Sequence, residues 1–278
     1  DRVGEKPLYY SFIDNFFIYG SELKSVTSFK DVKCRINPLS RDLFFKYGYI
    51  PAPNTIYKDI FKIKPGTFLE VFLKDNKFIY NSINYWKPKD DEEKKDKSVI
   101  FSDLNYLITN SVKKNLVADV PVGCFLSGGI DSSLISSIAS KVSPKKIDTF
   151  TIGFENKKMD ESVFARKIAN YLKTNHNEII IKENDVIKLI PDLGEIYDEP
   201  FSDNSCIPSI ILSKFAKIKV KSCLSGDGGD ELFGGYRRYY DAIKINKITS
   251  NPLINFILKK MINIKSVEDL KNNFNSLI

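Results

Sequence analysis

Residues 124–133 read C-F-L-S-G-G-I-D-S-S, and residues 222–231 read S-C-L-S-G-D-G-G-D-E. Each is a short apolar run that breaks into glycines and is followed at once by acids and hydroxyls. A buried strand turning into a helix explains the pattern. Gly128 and Gly129 give the turn conformations and close approaches that side chains deny. Asp131, Ser132 and Ser133 then fall in the first helical turn, where free N–H groups and the positive dipole end favour anions. The result is a phosphate cradle, without the G-K-[ST] ending of the usual triphosphate loop and without the G-x-G-x-x-G of a dinucleotide loop. An aspartate inside such a cradle repels phosphate unless a cation lies between them, so Asp131 implies a hard divalent ion, Mg²⁺. The second loop adds Asp227, Asp230 and Glu231. If its strand neighbours the first, Asp131 and Asp230 share metal ions and clamp a departing polyphosphate. Two plain tight turns would account for the glycines, but not for acids in both copies.

The surrounding sequence sets these loops in an α/β domain. Ile100, Leu104, Leu107, Ile108, Val112 and Leu116 form one helical stripe. After it, V-G-C-F-L-S, I-D-T-F-T-I-G-F, N-E-I-I-I and V-K-S-C-L-S read as strands separated by helical segments. The strands are short and apolar without strict alternation, as in a parallel sheet covered on both faces. This predicts a doubly wound α/β domain, whose ligands bind beyond the carboxyl ends of the strands.

The chain before it is β-rich. Residues 66–86 alternate apolar and polar around K-D-N-K, a hairpin signature, and two aromatic strands precede them. Y-I-P-A-P-N-T is an extended loop, because Pro51 and Pro53 exclude helix and central strand. Residues 87–97 are almost all charged and mark a boundary, giving expected domains of 1–95 and 96–278.

Composition narrows the function. The net charge of +7, from 42 Lys and Arg against 35 Asp and Glu, is scattered in short pairs. It reads as a solvated lysine-rich surface, not a nucleic-acid groove. Cys34, Cys124, Cys206 and Cys223 follow no metal-ligand spacing and read as reduced core thiols of a cytoplasmic protein. His176, the only histidine, has no nucleophile motif around it. No apolar run is long enough for a membrane span.

S-G-G-I-D-S resembles the pyrophosphate loop of the ATP pyrophosphatases. P-V-G-C-F-L-S-G-G-I-D-S-S together with S-G-D-G-G-D-E-L-F-G-G-Y-R-R-Y resembles the synthetase domain of glutamine-hydrolysing asparagine synthetases. D-R-V-G-E-K-P-L-Y-Y, G-S-E-L-K-S and Y-G-Y-I-P-A-P-N-T-I-Y-K-D-I-F-K-I-K-P-G resemble the later part of that family's amidotransferase domain. The resemblance implies an adenine nucleotide alpha hydrolase-like fold preceded by a partial amidotransferase domain. It implies ATP and Mg²⁺ as cofactors, aspartate and glutamine-derived ammonia as substrates, and a homodimeric parent. Leu126 would lie by the adenine, with Ser127, Gly128, Gly129, Asp131 and Ser132 around the phosphates. Ile152 would present its backbone to the adenine, and Ser225 and Gly226 would complete the pocket. Asp131 and Asp230 would hold the metal. Asp227 takes the position tied to acyl-adenylate formation, where many relatives carry glutamate.

The implied reaction has aspartate attack the α-phosphorus of ATP, expelling pyrophosphate, and ammonia then displace AMP. The family's nucleophilic cysteine would precede this chain and its catalytic lysine would follow it. The isolated chain is therefore expected neither to hydrolyse glutamine nor to bind ATP well. The polar segment 198–205, D-E-P-F-S-D-N-S, is a candidate for contacts to the amino-acid substrate. Competing readings keep the fold and change the acceptor to another carboxylate or a β-lactam ring closure, make the chain a tRNA-adenylating enzyme, or make it a non-catalytic fragment.

Overall fold

The computed structural model describes residues 1–89, 96–157 and 160–250. Most of the charged run lies outside them. The chain divides into two compact units, Asp1–Asp96 with Glu183–Ile207, and Lys97–Lys182 with Pro208–Ile278.

The first unit opens with a hairpin of β1 (Tyr9–Ile13) and β2 (Phe16–Gly20). Two helices follow, α1 (Leu23–Thr27) and α2 (Pro38–Tyr47). Helix α2 is delimited by its own sequence. Asn37 caps it by accepting the Leu39 N–H at 3.1 Å, proline opens the first turn, and Gly48 closes it in the left-handed region at φ 78°. Strand β3 (Ile60–Lys62) pairs with β1, giving an antiparallel sheet in the order β2-β1-β3. The expected hairpin is present as β4 (Thr67–Lys74) and β5 (Lys77–Asn84). Its two-residue loop is Asp75-Asn76, both at positive φ, 49° and 58°. That is the mirror-image turn whose twist matches the flanking strands. Leu23, Val26, Ile50, Ile56 and Ile60 form this unit's core. Phe12 stacks on both Phe17 and Tyr80, with centroids 4.9 and 5.0 Å away, and so ties the hairpin to the sheet.

Residues 183–207 belong to this unit through ion pairs as well as packing. Lys62 Nζ pairs with Glu199 Oε1 and donates to the Ile50 carbonyl at 2.8 Å. The other Glu199 oxygen accepts the Ile56 N–H at 3.2 Å. The two side chains retain only 16% and 10% exposure, so each charge depends on the other. Asp198 accepts the Lys24 N–H at 3.0 Å and pairs with its ammonium at 3.2 Å. Burial, reinforced by Glu199 and Asp198, pushes the Tyr9 hydroxyl up to about 12.

The second unit begins with α3 (Lys97–Asn115) and then alternates β6 (Val122–Phe125), α4 (Ile130–Val142), β7 (Asp148–Phe154), α5 (Ser162–Leu172) and β8 (Asn175–Ile181). The chain passes through α6 (Glu183–Leu189) and α7 (Leu193–Tyr197) of the first unit. It returns by α8 (Cys206–Ala216), β9 (Ser222–Leu224), α9 (Gly229–Phe233) and α10 (Arg237–Thr249). All pairings are parallel and the order is β8-β7-β6-β9.

Successive side chains of β6 point to opposite faces. Cys124 packs with Val112, Ile138 and Ala139 of α3 and α4, whereas Phe125 packs with Phe150 and with Leu212, Phe215 and Ala216 of α8. Leu224 and Cys223 of β9 divide between the same two clusters, so the sheet is covered on both faces and the domain is doubly wound, as expected. The stripe expected along α3 holds only in part. Ile108, Val112 and Leu116 pack inward, while Ile100 and Leu107 are exposed among the described residues. No helix among the described residues is long and apolar enough to cross a membrane.

At the amino end of β8, His176 Nδ1 lies 3.1 Å from the Thr149 hydroxyl, and Nε2 is 3.8 Å from Glu178. Burial holds its pKa below the ordinary value, against the opposing pull of Glu178. The unfolded chain therefore binds more protons between the two values. Its contribution to stability is complete above about pH 6.5 and is lost as pH falls through the lower folded-state value. Urea unfolding of wild type and His176→Gln from pH 5 to 7.5 should show that part of the slope only in wild type. A second expectation concerns the buried pair. Glu199→Ala should destabilise by about 3 kcal/mol, and Lys62→Met with Glu199→Leu by much less, because the double change leaves no unpaired charge.

Candidate active site

In the order β8-β7-β6-β9 the direction of winding reverses between β6 and β9, and ligands of open parallel sheets bind beyond the carboxyl ends of the strands at such a point. Both glycine loops leave the sheet there. Register pairs Val122 with Ser222 and Cys124 with Leu224, so Ser127 and Ser225 leave the carboxyl ends of neighbouring strands.

The first loop is tied by its own hydroxyls. Ser127 Oγ accepts the Gly129 N–H at 3.2 Å and lies 2.9 Å from Ser132 Oγ, which in turn accepts the Ser127 N–H at 3.2 Å. Gly128 has φ 87°, and a Cβ on it would lie 2.9 Å from both the Ala165 nitrogen and the Phe164 Cβ of α5. A side chain there meets both forbidden backbone and occupied space. Gly129 caps α4 without a side-chain acceptor, which leaves the first-turn N–H groups to an external anion. Leu126 is buried, with its side chain against Ala165 and Ala169. Its N–H donates to the Phe150 carbonyl at 2.9 Å, and its carbonyl accepts the Thr151 hydroxyl. Ile152 is half-buried in the carboxyl half of β7, the strand beside β6.

The second loop lies directly on the first. A Cβ on Gly226 would lie 2.7 Å from the Ser132 nitrogen and 2.9 Å from the Asp131 Cβ. One on Gly229 would lie 2.7 Å from Oδ2 of Asp131. The start of α4 and the turn after β9 therefore approach as backbone against backbone, and the Asp131 carboxylate rests over Gly229. Asp230 follows in the first turn of α9, with its carboxylate against Gly235. Asp227 is exposed and accepts the Ser225 hydroxyl at 2.9 Å, so these two side chains engage each other. Glu231 accepts the Tyr236 hydroxyl at 2.7 Å. That bond holds the Glu231 carboxyl below its ordinary range and pushes the Tyr236 hydroxyl up to about 12.

The donor set suits one kind of metal. Among the described residues no three His, Cys, Asp or Glu side chains gather as a cage. Cys34 is exposed, not a core thiol as expected, while burial holds the thiols of Cys124 and Cys223 protonated, at about 12 and about 11. Carboxylates in ones and twos beside an anion cradle fit Mg²⁺, which completes its shell with phosphate oxygens and water, and not a thiolate or imidazole metal.

The segment 198–205 has other attachments. Asp198 and Glu199 are taken up by Lys24 and Lys62, the Ser202 N–H donates to the Gly48 carbonyl at 2.8 Å, and Asp203 accepts both the N–H and the hydroxyl of Ser205. Sequence reasoning passed over Phe164 and Ala165, which set the first loop from below, and Gly235, which faces Asp230. The signal for Gly235 is the glycine pair of F-G-G-Y, which closely follows the pair in the second loop.

Two family models match this chain. Residues 103–271 match asparagine synthase, and residues 1–86 match the glutamine amidotransferase domain. The putative glutamine-hydrolyzing asparagine synthetase 2 of Methanocaldococcus jannaschii is 39% identical over 91% of this chain and 49% of its own length. Asparagine synthetase 1 of Bacillus subtilis, also glutamine-hydrolyzing, is 32% identical over 91% of this chain and 39% of its own. The chain thus spans about half the length, or less, of these curated relatives. Among solved structures, the NH3-dependent NAD synthetase from Campylobacter jejuni overlaps 49% of this chain and 60% of its own, at 15% identity and a TM-score of 0.37.

The contact between the loops has a direct test. Gly226→Ala should lower stability by about 2 kcal/mol, since the methyl group meets backbone that cannot give way. Gly194→Ala, in α7 with nothing within 4 Å of the new Cβ, should be neutral or slightly stabilising in the same thermal melts.

Proposed function

The chain belongs to the asparagine synthase family, and on that premise we propose that it is part of a cytoplasmic, glutamine-hydrolysing synthetase that amidates aspartate at the expense of ATP. The observation that carries this reading is the seating of Gly226 and Gly229 on Asp131 and Ser132, which joins two acid-bearing loops at the switch point.

A carboxylate is a poor electrophile and must first be activated. In the proposed reaction the aspartate side chain attacks the α-phosphorus, the bond to the bridging oxygen breaks, and pyrophosphate leaves. Ammonia supplied by the amidotransferase portion then adds to the β-aspartyl carbonyl, and AMP departs.

Within that scheme Ser127, Gly128, Gly129 and Ser132 cradle the phosphates, with the start of α4 directed at their charge. Ser127 and Ser132 are already ordered by their mutual bond, so little reorganisation accompanies binding. Leu126 and Ile152 form the adenine side of the crevice through strands β6 and β7, and Ser225 and Gly226 close it from β9. Asp131 and Asp230 would hold Mg²⁺, which when bound neutralises charge accumulating on the leaving pyrophosphate. Asp227 is the candidate for assisting adenylate formation. Its bond to Ser225 supports a fixed orientation for that carboxylate.

Exchange of labelled pyrophosphate into ATP by the complete protein tests the reading. Exchange should require aspartate, and Asp131→Asn should reduce it by about 100-fold or more, the usual scale for removing a group that stabilises developing charge. Exchange supported by a different carboxylate and not by aspartate would move the protein to a sister activity. An Asp131→Asn variant with undiminished exchange would remove the proposed metal clamp.

A further inference from the structure

The segment after the second loop, F-G-G-Y-R-R-Y, has no part in the reaction as described, yet its geometry bears on one of the two metal carboxylates. Helix α9 is only five residues long and is closed at both ends by glycines in the left-handed region, Gly228 at φ 88° and Gly234 at φ 67°. The chain therefore doubles back on Asp230. The Gly235 N–H donates to the Asp230 carbonyl at 3.0 Å. A Cβ on Gly235 would collide with the Asp230 carboxylate, so only a glycine leaves that side chain its place. The next residue, Tyr236, reaches across the turn to donate its O–H to Oε1 of Glu231 at 2.7 Å, and the Arg238 guanidinium lies over its ring at 4.1 Å.

We infer that Tyr236 and Glu231 form a latch that holds Gly235 under Asp230, and that Tyr236 is a positioning residue for the metal carboxylate. The inference rests on the assignment of Asp230 to Mg²⁺ above. The latch bridges the two sides of Asp230: Glu231 is its neighbour in α9, and Tyr236 adjoins the glycine that faces it. A five-residue helix makes few internal hydrogen bonds, so its orientation depends on such outside ties. A hydrogen bond to an ionised acceptor is among the stronger ones, and its loss lets the turn at Gly234-Gly235 relax and the carboxylate turn away from its partner.

The test uses the complete protein with Mn²⁺ as the metal and a non-hydrolysable ATP analogue, the bound metal being read by electron paramagnetic resonance. Tyr236→Phe should raise the Mn²⁺ concentration for half-saturation about fivefold, the scale of one charge-assisted hydrogen bond partly transmitted to a neighbour. Glu231→Ala should do the same, and the double variant should be no worse than either single one, as for two halves of one latch. Glu231→Gln keeps an oxygen acceptor without its charge and should fall between wild type and Glu231→Ala. The unfolding midpoint of Tyr236→Phe should match wild type, which a merely structural role would not predict alongside weakened metal binding. If Tyr236→Phe binds Mn²⁺ as wild type does while Asp230→Asn binds it weakly, the latch is overturned and the metal assignment stands. Additive effects of Tyr236→Phe and Glu231→Ala would also overturn it. If Asp230→Asn leaves Mn²⁺ binding unchanged, the metal assignment falls and the latch with it.

Discussion

One close approach organises the crevice of the α/β unit: the backbone at Gly226 lies against the first turn of α4, at Asp131 and Ser132. No side chain separates the two segments. The approach requires glycine on one side, a tightly turned loop on the other, and neighbouring parallel strands to deliver both. Each requirement is met by a separate feature. Gly128 lets the first loop lie flat on α5, the hydroxyls of Ser127 and Ser132 fix its shape, and pairing of β6 with β9 sets the spacing. The carboxylate of Asp131 is thereby placed over the second loop and not into solvent alone.

Much of the fold was legible because its signals are local. The apolar strands, the periodic helices and the K-D-N-K hairpin were all readable as short patterns, and the parallel arrangement followed from their alternation. The adjacency of β6 and β9 was an inference from two similar motifs, and strand order bears it out. What the sequence concealed is non-local. Nothing in D-E-P-F-S-D-N-S says that Glu199 will meet Lys62, 137 positions earlier, because any surface acid and lysine present the same letters. The exposed residues Ile100 and Leu107 show the opposite failure. A helical period marks a possible apolar face, and only tertiary partners decide how much of that face is covered.

Within the site, glycines carried the readable information and hydroxyls did not. Gly128 and Gly226 stand out in sequence because their neighbours are acids and serines. The bond between Ser127 and Ser132 depends on a turn whose geometry the sequence does not state. Gly235 belongs to a pair whose letters state no partner, and its place against the Asp230 carboxylate is a property of the folded turn.

The route from β8 to β9 carries a kinetic consequence. Strand β6 is made early, but the strand that completes the crevice is separated from it by two strand-helix repeats and by an excursion, residues 183–207, that is packed in the other unit. The contact of Gly226 with Ser132 spans 94 residues of chain, so its loop-closure entropy must be overcome before the contact contributes anything. During synthesis the first loop therefore exists for some time as a half-site, with its acid and its exposed helix start unmatched. That contact is completed only when β9 docks, so the order of the strands along the chain makes it one of the last in the sheet to form.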